Sequence, residues 1–289
     1  MRSLSVLTWN IWFDSFEKAA RYGGVIGIIS SLNPDVVCLQ EVTTSFIRLL
    51  KDSSLPSIYS ISDNLTGSTI IPYGTLTLVK TELLATFRFV DFPSRMYRKL
   101  LTAEIPHPHG KIVVGNVHLE SLSNHPTREA QLQICQKVFQ PYPFFVLVGD
   151  FNFCSYRNYC PESSVLENDS LQRILPGSHD MWLDIHDPTV DPGYTFEGGV
   201  NPFIPNKKET MRYDRIVYHD QGCAKPWRAQ SIEIIGNAPL TDGELTSSPT
   251  NPGSPPPQPR SKKILLGSDA VDLYPSDHYG LIGRFTLDT

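Results

Sequence analysis

Eight residues of this chain carry chemistry that apolar strands do not need. They are Asn10, Glu41, His118, Asp150, Asn152, Asp214, Asp277 and His278, and each stands at the edge of an apolar run. Carboxylates leaving a buried strand are good ligands for a hard divalent cation. An imidazole beside a carboxylate can be held protonated, or in one tautomer, for work on a phosphate. An amide can orient a carboxylate or a metal-bound water. Together these groups suit phosphoester hydrolysis, in which positioning and charge stabilisation matter more than covalent catalysis.

Taken singly, each residue has a plainer reading. Asp150 and Asn152 leave the run Phe-Phe-Val-Leu-Val through Gly149 and would share a face if the strand continued; Asp and Asn also cap turns. Glu41 after Val36–Gln40, and Asn10 after Leu-Thr-Trp, also fit as strand-end turn or loop residues. Asn116, His118 and Glu120 share one strand face, either solvated or one wall of a site, and a lone histidine is often just packed. Asp277 and His278 can reach one cavity from a turn. Asp214 could brace His278, or pair with Arg212 or Arg215. The weight lies in the set, because most strand ends carry nothing of this kind.

The elements that must position these groups alternate along the chain. Strands are expected at Leu4–Ile11, Val36–Gln40, Thr75–Lys80, Leu84–Asp91, Leu100–Ile105, Ile112–His118, Phe144–Val148, Arg215–His219, Ser231–Ile235 and Leu281–Thr286. Helices are expected at Phe16–Leu32, stopped by Asn33-Pro34, and at Thr43–Lys51, Thr127–Gln140 and Ser164–Leu175. Strands outnumber helices, which suggests an α/β fold with two face-to-face sheets and helices outside. Residues 237–263 hold seven prolines and few large apolar side chains. That segment reads as a disordered insertion within one domain spanning 1–289, since too few residues follow it for a second domain.

Composition narrows the class. With 40% hydrophobic and 19% charged residues the chain is ordinary for a soluble domain. A net charge of −5 argues against gripping long duplex through many phosphates, so any nucleic-acid contact should be local or metal-mediated. Five scattered cysteines without a Cys-x-x-Cys argue against a zinc cluster or disulfide framework and for a reducing compartment. The start has no signal-like apolar run, and no stretch of about 18 apolar residues suggests a membrane span.

The ordered segments Thr8-Trp9-Asn10, Leu39-Gln40-Glu41, Asn116-Val117-His118-Leu119, Gly149-Asp150-Phe151-Asn152, Tyr213-Asp214-Arg215-Ile216 and Ser276-Asp277-His278 resemble the endonuclease/exonuclease/phosphatase (DNase I-like) superfamily. Within it the chain looks most like the 5′-tyrosyl-DNA phosphodiesterases (type 2). His118–Ser121, Arg128–Leu132, Gly193–Glu197 and Ser276–Gly280 carry that likeness. The resemblance implies a four-layer α/β sandwich and a divalent-metal phosphodiesterase. It implies Mg²⁺ (Mn²⁺ being possible) at Glu41, with Asp277 close by and Asn10 in support. Asp150 would orient or deprotonate the attacking water, and Asn152 would donate to the phosphate or nucleophile. His278, braced by Asp214, and His118 would contact phosphate oxygens.

It also implies a nucleic-acid partner, namely DNA 5′ ends or protein–DNA adducts in DNA repair, and an intracellular, nuclear or cytoplasmic address. Arg260–Lys263 is only a weak localisation signal. RNA, a phosphoinositide or a sphingophospholipid would keep the chemistry and change the substrate. A lipid would favour an exposed apolar loop such as Ile70–Tyr73 or Val200–Ile204. A non-catalytic scaffold should have lost these residues. Three positions depart from the tyrosyl phosphodiesterase pattern. Trp12 stands where that family has Asp, and Ser123 and Cys154 stand where it has Arg. Arg128 and Arg157 are candidates to replace the missing guanidiniums.

Overall fold

The computed structural model describes residues 1–160, 165–220, 225–241 and 261–288. In chain order its strands are β1 (Ser3–Asn10), β2 (Val36–Val42), β3 (Tyr59–Ile61), β4 (Gly74–Lys80), β5 (Thr86–Asp91), β6 (Lys99–Ile105), β7 (Ile112–His118), β8 (Phe144–Asp150), β9 (His179–Asp180), β10 (Phe196–Glu197), β11 (Thr210–Met211), β12 (Asp214–Asp220), β13 (Trp227–Ile235), β14 (Lys263–Leu266), β15 (Asp269–Asp272) and β16 (Gly280–Leu287). The helices are α1 (Lys18–Leu32), α2 (Thr44–Asp52), α3 (His125–Phe139), α4 (Asp169–Ile174) and α5 (Met181–Ile185). One sheet runs β13-β16-β1-β2-β4-β3 and the other β5-β6-β7-β8-β12-β9. The expected four layers are present, with α1 and α2 outside the first sheet and α3 and α4 outside the second.

Period-two alternation divides the apolar residues between layers. On β8, Phe144, Val146 and Val148 face the other sheet, while Phe145 and Leu147 face the helices. On β1, Leu4 and Val6 face inward and Leu7 and Trp9 outward. Continued along the strands, the inward rows reach Asn10 on β1, Gln40 on β2, His118 on β7 and Asp150 on β8. The site is therefore the end of the inter-sheet core, where each apolar row finishes in a polar group.

Register brings those ends level. Asn10 pairs with Gln40 across the parallel β1–β2 ladder. His118 pairs with Asp150 across parallel β7–β8, and Asp150 with Asp214 across antiparallel β8–β12. Gly149 makes the second row possible. Its φ is +140°, and a Cβ there would lie 1.8 Å from the Val117 carbonyl oxygen, so the neighbouring strand leaves no room for a side chain.

Several boundaries differ from expectation for local reasons. The third long helix begins at His125, not Thr127, because Pro126 fits a first turn that needs no N–H from it. The helix expected over Ser164–Leu175 is formed only at Asp169–Ile174, and residues 161–164 lie outside the described part. Strand β5 starts at Thr86, after a left-handed Leu84 at φ 52°. Strand β13 runs four residues further upstream than expected, to Trp227, past a register shift between Ala229 and Ser231. Short β3, β9, β10, β11 and α5 carry too few residues to show a period. Residues 242–260 of the proline-rich segment lie outside the described part, and its flanks meet in a bridge between Thr241 and Ser261.

Replacing Gly149 by Ala should cost at least about 3 kcal/mol in urea unfolding, since backbone on both sides must move. Gly23→Ala, in helix α1 with nothing within 4 Å of its new Cβ, should instead stabilise by about 0.5–1 kcal/mol. Equal effects at the two glycines would contradict the close-approach reading.

Candidate active site

The first sheet supplies Asn10, Glu41, Asp277 and His278, and the second supplies His118, Asp150, Asn152 and Asp214. Asn10 joins the two halves, donating through Nδ2 to Asp150 Oδ2 at 3.0 Å and to Glu41 Oε1 at 3.3 Å. Its own Oδ1 accepts the Trp12 N–H.

Alternation from inward-facing Gln40 would send Glu41 toward the helix layer. Instead the β2–β4 register slips between Leu39 and Val42, and Glu41 adopts φ 58°. This bulge swings its carboxylate back into the site, where the Phe13 N–H donates to Oε2 at 2.9 Å. Asn152 arrives by a different route from the one expected. Strand β8 ends at Asp150, and Asn152 sits beyond it at φ 56°. Its N–H donates to Asp150 Oδ1 at 2.8 Å, and its Nδ2 to the Leu119 carbonyl at 3.0 Å. An amide nitrogen carries two hydrogens, so one donor remains.

The two histidines are in opposite states. His278 Nδ1 lies 2.8 Å from Asp214 Oδ2 and its Nε2 lies 3.9 Å from Asp150 Oδ2. Burial alone would discharge it, but Asp214, Asp150 and Asp277 outweigh that and hold it well above the usual imidazole range. His118 is pushed well below that range by burial, then by Arg98 and His278. Arg98 donates to His118 Nδ1 at 2.6 Å. That bond leaves the ring proton on Nε2, which lies 3.4 Å from Asp150 Oδ2. Both histidines therefore present an N–H beside Asp150.

The acids are crowded. Burial and then Asp277 push Glu41 up to about 7, against the pull of the Phe13 N–H. Burial raises Asp277 against His278 and Arg21, and raises Asp214 to about 6 against His278. Asp214 Oδ1 is buried and has no hydrogen-bond partner among the described residues. Acidic oxygens this close need added positive charge, which is the donor chemistry of a hard divalent cation. One atom each from Asp150, Asp214 and His278 lies within 4.8 Å of the others and could hold a metal ion. Within that trio His278 Nδ1 and Asp214 are already bonded to each other, however, whereas Asp277 raises Glu41 by direct repulsion.

Other expected residues turn out to be structural. Asn116 faces inward but is bonded to Leu39 O, Leu76 O, Thr77 Oγ1 and Gln40 Nε2. Glu120 accepts from Ser94, Arg95 and Gln131. Neither forms a solvated face or a free wall. Arg128 is buried against Glu167 and two carbonyls, so it does not replace a missing phosphate-side arginine. Arg157 is exposed and donates to the Tyr194 hydroxyl at 3.1 Å. Cys154 is buried and accepts the Arg212 N–H. Ser123 is exposed, 3.2 Å from Cys160 Sγ. Of the two candidate lipid loops, Ile70, Phe203 and Ile204 are packed, and Ile71 and Val200 stand out at 72% and 56% exposure.

Arg98 is the functional residue that the sequence hides. It immediately precedes β6, in an Arg-Lys pair that reads as ordinary surface charge, yet it is buried. It lies 5.3 Å over the Tyr73 ring and donates to Ser121 Oγ. A cleft of about 420 Å³ opens from His118 and Arg98, walled by Ile71, Tyr73, Met96 and Tyr97. On the opposite flank, the Phe196 ring lies 4.8 Å from His278.

Strand ends from two packed sheets, meeting in acids, amides and two imidazoles, define a class of metal-assisted phosphoesterases. In agreement, the sequence pattern of the Endonuclease/Exonuclease/phosphatase family matches residues 7–278, and the chain belongs to that family. It is 27% identical over 298 aligned positions to tyrosyl-DNA phosphodiesterase 2 of Xenopus tropicalis, covering 98% of this chain and 66% of the relative. It is 28% identical over 229 positions to the 5′-tyrosyl-DNA phosphodiesterase of Caenorhabditis briggsae, covering 75% of this chain and 59% of the relative. The chain thus spans about two thirds or less of these relatives' length. Among solved structures, TDP2 from C. elegans matches with a TM-score of 0.72 at 22% identity over 98% of this chain and 75% of its own. D. rerio TDP2 complexed with a single strand DNA product matches with a TM-score of 0.72 at 22% identity, covering 98% and 99%. These two structures establish the shared fold.

Arg98→Met should raise the His118 pKa toward its ordinary value, because a neighbouring cation is lost while burial persists. Imidazole ¹⁵N shifts followed against pH would show it. An unchanged His118 titration would remove Arg98 from the account.

Proposed function

We propose that this chain is a Mg²⁺-dependent phosphodiesterase that cleaves the bond between a tyrosyl side chain and a DNA 5′ phosphate. The carrying observation is that Asp150 is flanked by two imidazole N–H groups, from His118 and His278, and that His118 lines an aromatic-walled cleft. The names of the aligned relatives, tyrosyl-DNA phosphodiesterase 2 and 5′-tyrosyl-DNA phosphodiesterase, point to the same bond.

The residues divide the work by charge. Glu41 and Asp277 would hold the cation, with Asn10 steadying Glu41, and a bound cation would supply neutralisation of phosphate charge and polarisation of the ester. Mn²⁺ satisfies the same oxygen donors. His278, positively charged and braced by Asp214, donates from Nε2 to a phosphate oxygen. His118, neutral, donates from its Nε2. Asp150 accepts a proton from the attacking water, which Asn10 and the free hydrogen of Asn152 help to orient. These donors are fixed before the reaction and require no reorganisation during it. The leaving tyrosyl ring enters the cleft beside Tyr73 and Arg98. Work on DNA ends would place the protein in DNA repair, with a nuclear address. No helix among the described residues is long and apolar enough to cross a membrane.

Purified protein with Mg²⁺ should release tyrosine from a 5′-phosphotyrosyl oligonucleotide faster than it acts on abasic duplex, poly(A) or phosphoinositide. Glu41→Ala and His278→Ala should each lower kcat/KM by about 100-fold or more. Activity that survives both would sink the site assignment, and activity confined to the lipid would sink the DNA reading.

The pH dependence of metal binding has a defined sign. Glu41 must be deprotonated to bind the cation, and its pKa is raised to about 7. Mg²⁺ affinity should therefore level off above that pH and fall roughly tenfold per unit below it. Calorimetric titration on either side would check this, and pH-independent affinity would exclude Glu41 as a ligand.

A further inference from the structure

Trp12 is a large residue held in the left-handed region at φ 56°, a conformation that costs energy unless its surroundings enforce it. What enforces it is a stack. The Arg21 guanidinium lies 4.5 Å from the Trp12 ring centroid, and the Phe203 ring stacks on it at 5.0 Å and 22°. Phe203 also meets Phe16 edge-on at 5.7 Å. Arg21 is fully buried and, among the described residues, forms no ion pair within 4 Å. Its donors go to the carbonyls of Ile11, Trp12, Asp14, Phe16 and Pro275.

Phe203 belongs to the loop that joins β10 to β11. That loop also reaches the site through buried Asn201, which donates from Nδ2 to the Ser276 carbonyl at 2.8 Å, and through Phe203, which packs in one cluster with Tyr274 and Tyr279. Ser276 is two residues from His278, and the same hairpin carries Phe196 against the His278 ring. Within the loop, the Lys207 ammonium ties down the carbonyls of Asn201, Pro202 and Ile204. The loop is thus a preformed unit, fastened to the segment after β1 through the Trp12 ring.

We propose that Trp12 is a positioning residue that latches the 198–209 loop beside His278 and so fixes one edge of the site for a long substrate. The kinetic part rests on the phosphodiesterase reading above; the latch itself does not. An acid at this position could answer the Arg21 charge directly, but it could not hold Phe203. Trp12→Asp therefore removes the latch while leaving Arg21 a partner, and Phe203→Leu removes it from the other side.

Two measurements test this. The first is limited trypsin cleavage at Lys207 and Lys208, both exposed. Loop release should speed it about tenfold in Trp12→Asp and Phe203→Leu, the amount expected for losing one aromatic stack, with Trp12→Phe close to wild type. The second compares a 5′-phosphotyrosyl oligonucleotide with a nucleoside 5′-(p-nitrophenyl phosphate). In Phe203→Leu, KM for the oligonucleotide should rise about tenfold, while kcat for the small ester stays within about twofold. Unchanged cleavage at Lys207 and Lys208 in folded variants would overturn the latch. Equal losses on both substrates would overturn its role in binding the longer one. If wild type proves inactive on both, the cleavage rates alone decide, so failure of the latch and failure of the phosphodiesterase reading remain distinguishable.

Discussion

The structure depends on how two sheets that share an apolar core are held together at the one end where that core stops. There several of the side chains that cross the gap are amides. Asn116 reaches from β7 to the carbonyls of Leu39 and Leu76, and the Gln40 amide returns to its Oδ1 at 2.8 Å. One strand position further along, Asn10 crosses to Asp150. Buried amides bonded across the gap help to fix a register that apolar side chains alone would set less tightly. Each of these amides sits within two residues of a group in the site.

Charge explains the rest of the arrangement. Glu41, Asp150, Asp214 and Asp277 are crowded at the sheet ends, and the nearby positive groups differ in kind. His278 is charged because it faces three of these acids. His118 is held toward the neutral form by burial first and then by Arg98, which donates to its Nδ1. Arg21 contributes charge from behind, through carbonyls, without touching an acid. The result is a graded field in which the most exposed acids, Glu41 and Asp277, are the least compensated and the most receptive to a metal ion.

Much of this was legible in the sequence. The inward rows end in polar residues, and alternation reads that directly from Phe144 to Asp150 and from Ile112 to His118. What alternation could not show is where it breaks. Glu41 reaches the site only through a bulge, and Asn152 only through a left-handed turn; no periodic pattern encodes either. Asn116 and Glu120 carried the same signal as His118, but their partners on other strands make them structural. Arg98 was missed for the opposite reason, since its burial depends on Tyr73 and His118, both distant in sequence. Arg128 looked free because Glu167, its partner, lies 39 residues away.

The division of the site between the sheets has a consequence for how the protein would fail. Neither sheet holds a sufficient set of groups, so the reactive arrangement exists only while the inter-sheet spacing is native. A loosened state could keep every strand and helix and still be inert, because Asn10 would no longer reach Asp150, nor His278 reach Asp214. Inactivation would then precede the loss of secondary structure. Mild thermal or chemical stress would then silence the proposed activity while the chain still looked folded by circular dichroism.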